Sequence, residues 1–579
     1  MKHSILRLLR TNEHGIMAVL AVFVGLAGGF GAVGFRYLIN IFQSLAYGSD
    51  ANLLDLVQSI PWYLKVSVPT LGGLVVGPLV YFWAREAKGH GVPEVMEAVA
   101  LKSGLIRKRL VIIKSLASAI CIGTGGSVGR EGPIVQIGSA IGSTIGQMLK
   151  ISADRMRTLV GCGAAAGIAA TFNAPIAGSM FALEIILGDF GLATFSPIVI
   201  SSVIATAVSR HFLGDAPAFI VPAYELVSAW EFPLYVILGL FCAVVAVTFT
   251  KSLYRIEDVF NGLKFPEYLK AALGGVIIGT IGLLFPQILG VGYGAIDLSL
   301  SQDLAWWLLL VLVICKILAT SITIGSGGSG GIFAPSLFMG AMAGGFFGTV
   351  VHNLFPSVTA SPGAYSIVGM GAVVSATTHG PLTALLMLFE MTGDYKIILP
   401  LMITCIISNI AGRQFLKESI YTLKLLRRGI NLEEGKEVNV LKSIKVSEVM
   451  NTEVETITEA LGLERLAEIV FKSKYNSFPV VSDGNKLTGI LSFFDYNEAI
   501  FDENLKGLVV AKDIATPDVV TISTDDNLYN ALEKITFKDF SILPVVSPDD
   551  PAQLIGVLTR RDIMGAYNKA VIKKSLYSE

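Results

Sequence analysis

From His14 to about Gly412 one apolar stretch follows another, with only short polar turns between them. Few folds tolerate that pattern. A helical crossing of a bilayer takes about 20 apolar residues. With no water at that depth every backbone group must be paired inside the protein, so the spans are helices or a closed barrel. Only 15% of the chain is charged, against roughly 25% in soluble proteins, and the deficit lies in this stretch. Beyond Lys417 the composition is that of a soluble domain. The expectation is a helical membrane part followed by a soluble part.

Charge excludes some partners. A net charge of −1 provides no global field to steer nucleic acid, so no nucleic-acid partner is expected. Met1–Arg10 holds Lys2, Arg7 and Arg10 and no small-residue cleavage site. It reads as a cytoplasmic basic flank and not as a removed signal peptide. The cysteines, Cys121, Cys162, Cys242, Cys315 and Cys405, all sit in apolar segments. They read as small core residues, with no disulfide framework and no metal site.

Full-length spans are expected at about Ile16–Phe42, Trp62–Trp83, Thr194–Phe212, Phe232–Phe249, Leu269–Leu289 and Ala305–Ile324. Val111–Cys121, Ile134–Leu149, Pro175–Leu187, Ile332–Val350 and Pro381–Met391 are short, or broken by glycine or proline. Irregular backbone at membrane depth survives only where protein buries it or where it lines a cavity. A permeation site is therefore expected among the broken segments.

Two internal repeats are present. Gly123-Thr-Gly-Gly-Ser-Val-Gly129 matches Gly325-Ser-Gly-Gly-Ser-Gly-Gly331 at an offset of 202, and each is followed by a proline, Pro133 and Pro335. Asn173-Ala-Pro175, with its apolar run to Glu184, matches His379-Gly-Pro381 and its run to Glu390 at an offset of 206. Paired breaks of this kind mark a duplicated transporter fold. In the tail, Val446–Asp495 aligns with Ala511–Asp562 at an offset of 65, which becomes 67 after an insertion near Asp549. Shared positions include Pro479-Val-Val481 with Pro544-Val-Val546, and each unit alternates β-rich runs with an amphipathic helix such as Leu463–Lys472.

A glycine-rich break lets the chain turn and start a new helix, here expected at Pro133 and Pro335, since proline suits a first helical turn. The orphan amides and the positive end of the helix dipole then face the cavity and can hold an anion without a full positive charge. A partial charge binds weakly enough to let an anion leave again. Glu131 sits at the first break. A carboxylate there is costly unless it serves a function, and it reads as a tethered substitute for the anion that leaves when protonated or displaced.

Gly129-Arg130-Glu131-Gly132-Pro133, Gly331-Ile332-Phe333-Ala334-Pro335 and Gly89-His90-Gly91-Val92-Pro93 resemble, in order, the three signature motifs of the CLC family of chloride channels and chloride/proton exchangers. Tyr421 matches the family's anion-coordinating tyrosine. The resemblance covers about 14–428. It implies an all-α membrane protein with inverted repeats and broken helices, a homodimer in the lipid bilayer with one pathway for small anions per subunit, and cytoplasmic termini. It also implies that Glu131 is the gate, that the amides of Ile332 and Phe333 and the Tyr421 hydroxyl hold the central chloride, and that the other residues of the three motifs line the site. The tail, with Gly489 to Asp495 and Gly556 to Asp562 as its repeated endings, resembles a CBS domain pair, the soluble α/β Bateman module. In some members of that family the positions matching Tyr475, Asn476, Arg561 and Asp562 contact ATP, ADP or AMP, a purely structural pair being the alternative, and no Walker loop for hydrolysis occurs. Coupling to the pore is expected through 417–428.

The expected boundaries are a cytoplasmic segment at 1–13, a membrane domain at 14–428 with halves at about 14–212 and 230–416, a linker at 429–440, and CBS units at 441–505 and 506–570. The expected location is a prokaryotic inner or plasma membrane. Two positions depart from the family pattern. His90 stands where chloride-selective members carry serine and plant nitrate exchangers proline; its ring can donate to an anion or turn away while backbone amides coordinate. Ile185 stands where proton-coupled members commonly have a glutamate, and isoleucine carries no proton, so a channel is expected, with an exchanger using another proton path as the alternative. Two other classes fit less well. Gly327-Gly-Ser329-Gly330 matches the Gly-x-Ser-Gly of rhomboid proteases with His379 as a nominal partner, but a similar glycine pattern recurs at Gly125–Val128, where a second catalytic site makes no sense. A magnesium-type transporter needs clustered oxygen ligands, whereas Glu131, Glu184 and Glu390 lie far apart in sequence.

Overall fold

The computed structural model describes residues 13–215, 227–432, 441–442, 444–473, 475–493, 495, 509–538 and 540–576. The basic flank at residues 1–12, residues 433–440 of the expected linker, and the expected junction between the CBS units at 505 and 506 lie outside them. The chain forms two compact units that divide between Leu425 and Leu426.

The first unit is helical. Among the described residues eight helices are long and apolar enough to cross a membrane. Trp62, Trp83, Trp230, Trp306 and Trp307 all lie at the ends of such helices and are more than half exposed. That is where amphipathic rings mark the two membrane interfaces. The expected spans appear, with shifted ends. Phe232–Phe249 is the middle of a 32-residue helix, Glu231–Gly262. The span expected to end at Leu289 stops at Leu284, because Phe285-Pro286 breaks it into a short 3-10 turn.

Two sequence expectations need correction, and two helices have no counterpart among the expected segments. Ile332–Val350 is not a short segment; Phe333–Leu354 is a 22-residue helix long enough to cross. Its glycines fall on packed faces: a Cβ at Gly344 would meet the Tyr365 carbonyl oxygen at 2.1 Å. The helices after the breaks begin at Glu131 and Phe333, two residues before Pro133 and Pro335. Each proline still falls in the first turn, where its missing N–H costs nothing. Ala153–Phe172 and Pro362–Thr378 are full helices that apolar-run counting passes over. Both are rich in glycine and alanine and almost wholly buried, so they need no lipid-facing hydrophobic surface.

The halves are related residue by residue. Helices Ala153–Phe172 and Pro362–Thr378 end in left-handed caps at Asn173 (φ 61°) and His379 (φ 58°). Ser118 Oγ lies 2.9 Å from Ser329 Oγ, and their mates Thr320 and Ser127 approach to 3.4 Å. A cavity between the halves is lined by mates: Cys121 with Thr323, Thr124 with Ser326, and Gly126 with Gly328.

The second unit holds two three-stranded sheets. β1 (Ile457–Thr458) pairs parallel with β2 (Ser477–Ser482), which pairs antiparallel with β3 (Lys486–Ser492). β4 (Ile522–Ser523), β5 (Ile542–Val546) and β6 (Leu554–Thr559) repeat this order. Helices Leu463–Lys472 and Leu528–Lys538 make the crossovers that parallel pairing requires. Each sheet covers its own core, around Leu466 and Phe478 in the first and Leu528 and Leu543 in the second.

Candidate functional site

Backbone hydrogen bonds bring the three motifs together. Gly129 and Gly331 exchange both N–H···O bonds, at 2.7 and 2.6 Å. Gly89 donates to the Gly328 carbonyl at 3.0 Å, and Gly330 donates back to Gly89 at 3.3 Å. The approach requires glycine: a Cβ on Gly132 would stand 2.2 Å from the His90 carbonyl oxygen and 3.0 Å from Gly331 Cα. Gly91, at φ 85°, caps helix Val92–Leu101, with Val92 and Pro93 opening its first turn. Three helices thus begin at one locality, at Val92, Glu131 and Phe333, with Arg130 and Ile332 as the caps of the last two.

Glu131 is buried, and its carboxylate lies at the start of another helix. Oε2 accepts from the Ala334 amide of Phe333–Leu354 at 3.3 Å, and Oε1 accepts from the Tyr293 hydroxyl at 2.8 Å. It fills the kind of position an anion takes at a helix N-terminus. Arg130 donates to the Thr171 carbonyl at 3.4 Å and lies over the Tyr293 ring, 5.3 Å from its centroid. Phe333 packs against Phe172 and Phe181, with centroids at 5.8 and 6.5 Å.

Tyr421 and His90 are both buried, with ring centroids 5.7 Å apart. Tyr421 lies on the short helix Ile420–Leu426, which Ser419 caps through the amides of Tyr421 and Thr422. The Tyr254 hydroxyl donates to the Ile420 carbonyl. Lys424 pairs with Glu94 at 3.4 Å, tying this helix to Val92–Leu101. So the structure gathers Gly89–Pro93, Arg130–Gly132, Gly331–Phe333 and Tyr421.

Ile185 lies apart, buried in a π-helical turn, Ala182–Leu187. Its neighbour Glu184 accepts from the Leu382 and Thr383 amides at 3.1 and 2.7 Å, at the start of helix Pro381–Thr392. Its mate Glu390 accepts from Ile176 and Ala177 at 3.0 and 2.7 Å, at the start of Pro175–Phe181. Each half caps a helix of the other. Ser329, the nominal protease serine, bonds with Ser118 and donates to the Ala87 carbonyl, not to a histidine.

Sequence reasoning missed Tyr293 and two lysines. Lys114 Nζ donates to the carbonyls of Ala87 and Gly89 at 3.0 and 2.8 Å. Lys316, 202 residues later, donates to Ile288 and Gly290 at 2.9 and 3.0 Å. Both are fully buried. A signal was available: a lone lysine inside an apolar span must find carbonyl partners.

In the tail, the repeated Ser/Thr-x-x-Asp endings are capping boxes. Asp562 Oδ2 accepts from the Thr559 amide and hydroxyl at 3.0 and 2.6 Å, and the Asp562 amide donates back to Thr559 Oγ1 at 3.2 Å. Ser492 and Asp495 repeat the arrangement. Tyr475 is 40% exposed, so its ring is open to a ligand. Asn476 accepts the Phe493 amide just before β2, while Arg561 and Asp562 open the helix after β6. Among the described residues no hydrogen bond joins the first pair to the second.

Apolar helices broken in two related halves, with helix N-termini gathered at one buried locality and a carboxylate occupying one of them, define a membrane ion-transport protein. The family model of the voltage-gated chloride channels matches residues 72–413, and CBS domain models match 446–502 and 511–569. A ClcB-like chloride channel protein of Ralstonia nicotianae is 36% identical over 415 residues, covering 71% of this chain and 97% of that one. A solved structure of a slow cyanobacterial Cl−/H+ antiporter superposes with a TM-score of 0.64 at 29% identity, over 71% of this chain and 97% of its own. A eukaryotic CLC transporter shares the fold over 95% of this chain and 99% of its own, with a TM-score of 0.63 at 18% identity. The chain belongs to the CLC chloride transport family and carries a C-terminal CBS pair.

Proposed function

We propose that the protein passes chloride and similar monovalent anions through a pathway gated by Glu131, and that it does so as a channel. The observation that carries this is the Glu131 carboxylate on the Ala334 amide and the Tyr293 hydroxyl. A tethered anion on a helix N-terminus competes with a free one for the same donors. The Ile332 and Phe333 amides, the Tyr421 hydroxyl and the His90 loop are the inner coordinating groups in this reading. Ile185 supports the channel over the exchanger, because a proton path has no carrier at that position. The likeness to a Cl−/H+ antiporter favours the second reading, an exchanger with another proton route. The functional unit is a homodimer with cytoplasmic termini, and the CBS pair binds adenine nucleotide without hydrolysing it.

The test uses purified protein in liposomes under opposed chloride and proton gradients. The channel reading expects the reversal potential to sit at the chloride value at every pH gradient. A potential that moves systematically with the proton gradient shows an exchanger. Glu131→Gln, which copies the protonated carboxyl, is expected to leave the pathway open and to remove most of the pH dependence of flux.

A further inference from the structure

We propose that Tyr293 is the latch that holds the Glu131 gate shut and that Lys316 positions it; the inference rests on the gate reading above. The Tyr293 hydroxyl donates to Glu131 Oε1 at 2.8 Å. A hydrogen bond to an ionised carboxylate is stronger than one to its neutral form, so this donor favours the seated, charged gate over the protonated one.

The latch is built like the first motif. Gly290-Val-Gly292 repeats Gly89-His-Gly91 at an offset of 201, with both glycines of each pair at positive φ. Gly292, at φ 93°, caps helix Tyr293–Leu300 as Gly91, at φ 85°, caps Val92–Leu101. Gly290 donates to the Gly125 carbonyl at 3.1 Å, so each loop is stitched to the glycine-rich break of the opposite half. Each loop has its own buried lysine, Lys114 for the first and Lys316 for the second.

Lys316 fixes the latch relative to the seat. Its Nζ holds the Ile288 and Gly290 carbonyls and lies 4.8 Å from the centroid of the Phe338 ring. Phe338 belongs to Phe333–Leu354, the helix that supplies the Ala334 amide. A Cβ on Gly292 would meet Phe338 at 2.7 Å and Lys316 Nζ at 3.3 Å, so the loop is clamped between them. The two donors to the carboxylate, from Tyr293 and Ala334, are thereby held in one geometry. Arg130 lies over the Tyr293 ring. The charged and titratable groups around the carboxyl are Arg130, Tyr293 and Tyr421, with Arg36 beyond Arg130.

Chloride efflux from liposomes as a function of pH tests the latch in wild type, Tyr293→Phe, Glu131→Ala and the double variant. Losing a charge-assisted hydrogen bond is worth roughly ten-fold in the gate equilibrium. Tyr293→Phe is therefore expected to move the half-maximal pH of flux upward by about one unit, while Glu131→Ala is expected to flatten the profile. Tyr293→Phe adds nothing once Glu131 is alanine, and Lys316→Gln shifts the profile in wild type but not in Tyr293→Phe. A flat Glu131→Ala profile together with a Tyr293→Phe profile that superimposes on wild type overturns the latch and leaves the gate standing. A Tyr293→Phe shift of equal size in the Glu131→Ala background overturns it too. A Glu131→Ala protein that keeps its full pH dependence overturns the gate reading itself and the latch with it.

Discussion

At the residue scale, the candidate site is held together mainly by backbone donors of its glycine-rich loops. Lys114 and Lys316 are fully buried, and each is occupied by backbone carbonyl oxygens. Drawing those carbonyls to the lysine leaves the first-turn amides of the following helix as the donors facing elsewhere. His90 is buried at the candidate site. It lies beside Tyr421. His90→Ser is expected to change the chloride-to-nitrate permeability ratio several-fold, measured from reversal potentials in mixed anions. An unchanged ratio would assign coordination to the backbone alone. Two of the motifs stood out in the sequence because their glycines and prolines recur at an offset of 202, and the Gly89–Pro93 motif because it resembles the family pattern. Tyr293 did not, because its loop shares only Gly290 and Gly292 with the first motif and has Gly294 where that motif has Pro93.

At the element scale, short helices survive in the membrane because carboxylates from the other half satisfy their first amides. Glu184 caps Pro381–Thr392, and Glu390 caps Pro175–Phe181. A structural role of this kind requires the glutamate whatever the protein's coupling to protons, so Glu184 carries no information about exchange. Glu390→Ala leaves the Ile176 and Ala177 amides unpaired and is expected to cost about 1–3 kcal/mol. It should appear as a lowered unfolding midpoint in detergent, with the anion selectivity of the surviving protein unchanged. Helix existence was legible wherever apolar runs met lipid, and illegible for Ala153–Phe172 and Pro362–Thr378. Those two touch protein on nearly all sides, and small residues serve close packing better than hydrophobic bulk does.

At the scale of the whole molecule, the tail poses a separate question. The resemblance makes Asp562 a nucleotide contact, and the structure gives it, like its repeat mate Asp495, a local task as a helix cap. Loss of the Asp562 cap alone is worth about 1 kcal/mol, so Asp562→Ala is not a clean probe of binding. Tyr475→Ala leaves both capping boxes intact. In the full chain, ATP, ADP or AMP is expected to raise the unfolding midpoint of the tail, and Tyr475→Ala to abolish that shift. No shift with any adenine nucleotide at millimolar concentration would make the tail purely structural.

The swapped stitching of the glycine breaks also bears on how the protein is made. The Gly89 loop finds its partners in Gly328 and Gly330, more than two hundred residues downstream, and the Gly290 loop reaches back to Gly125. A chain emerging from the ribosome carries the first loop into the bilayer long before its partners exist. Neither set of backbone bonds can be completed by one half alone. An interrupted synthesis therefore leaves the Gly89 and Gly290 loops without the backbone partners that hold them.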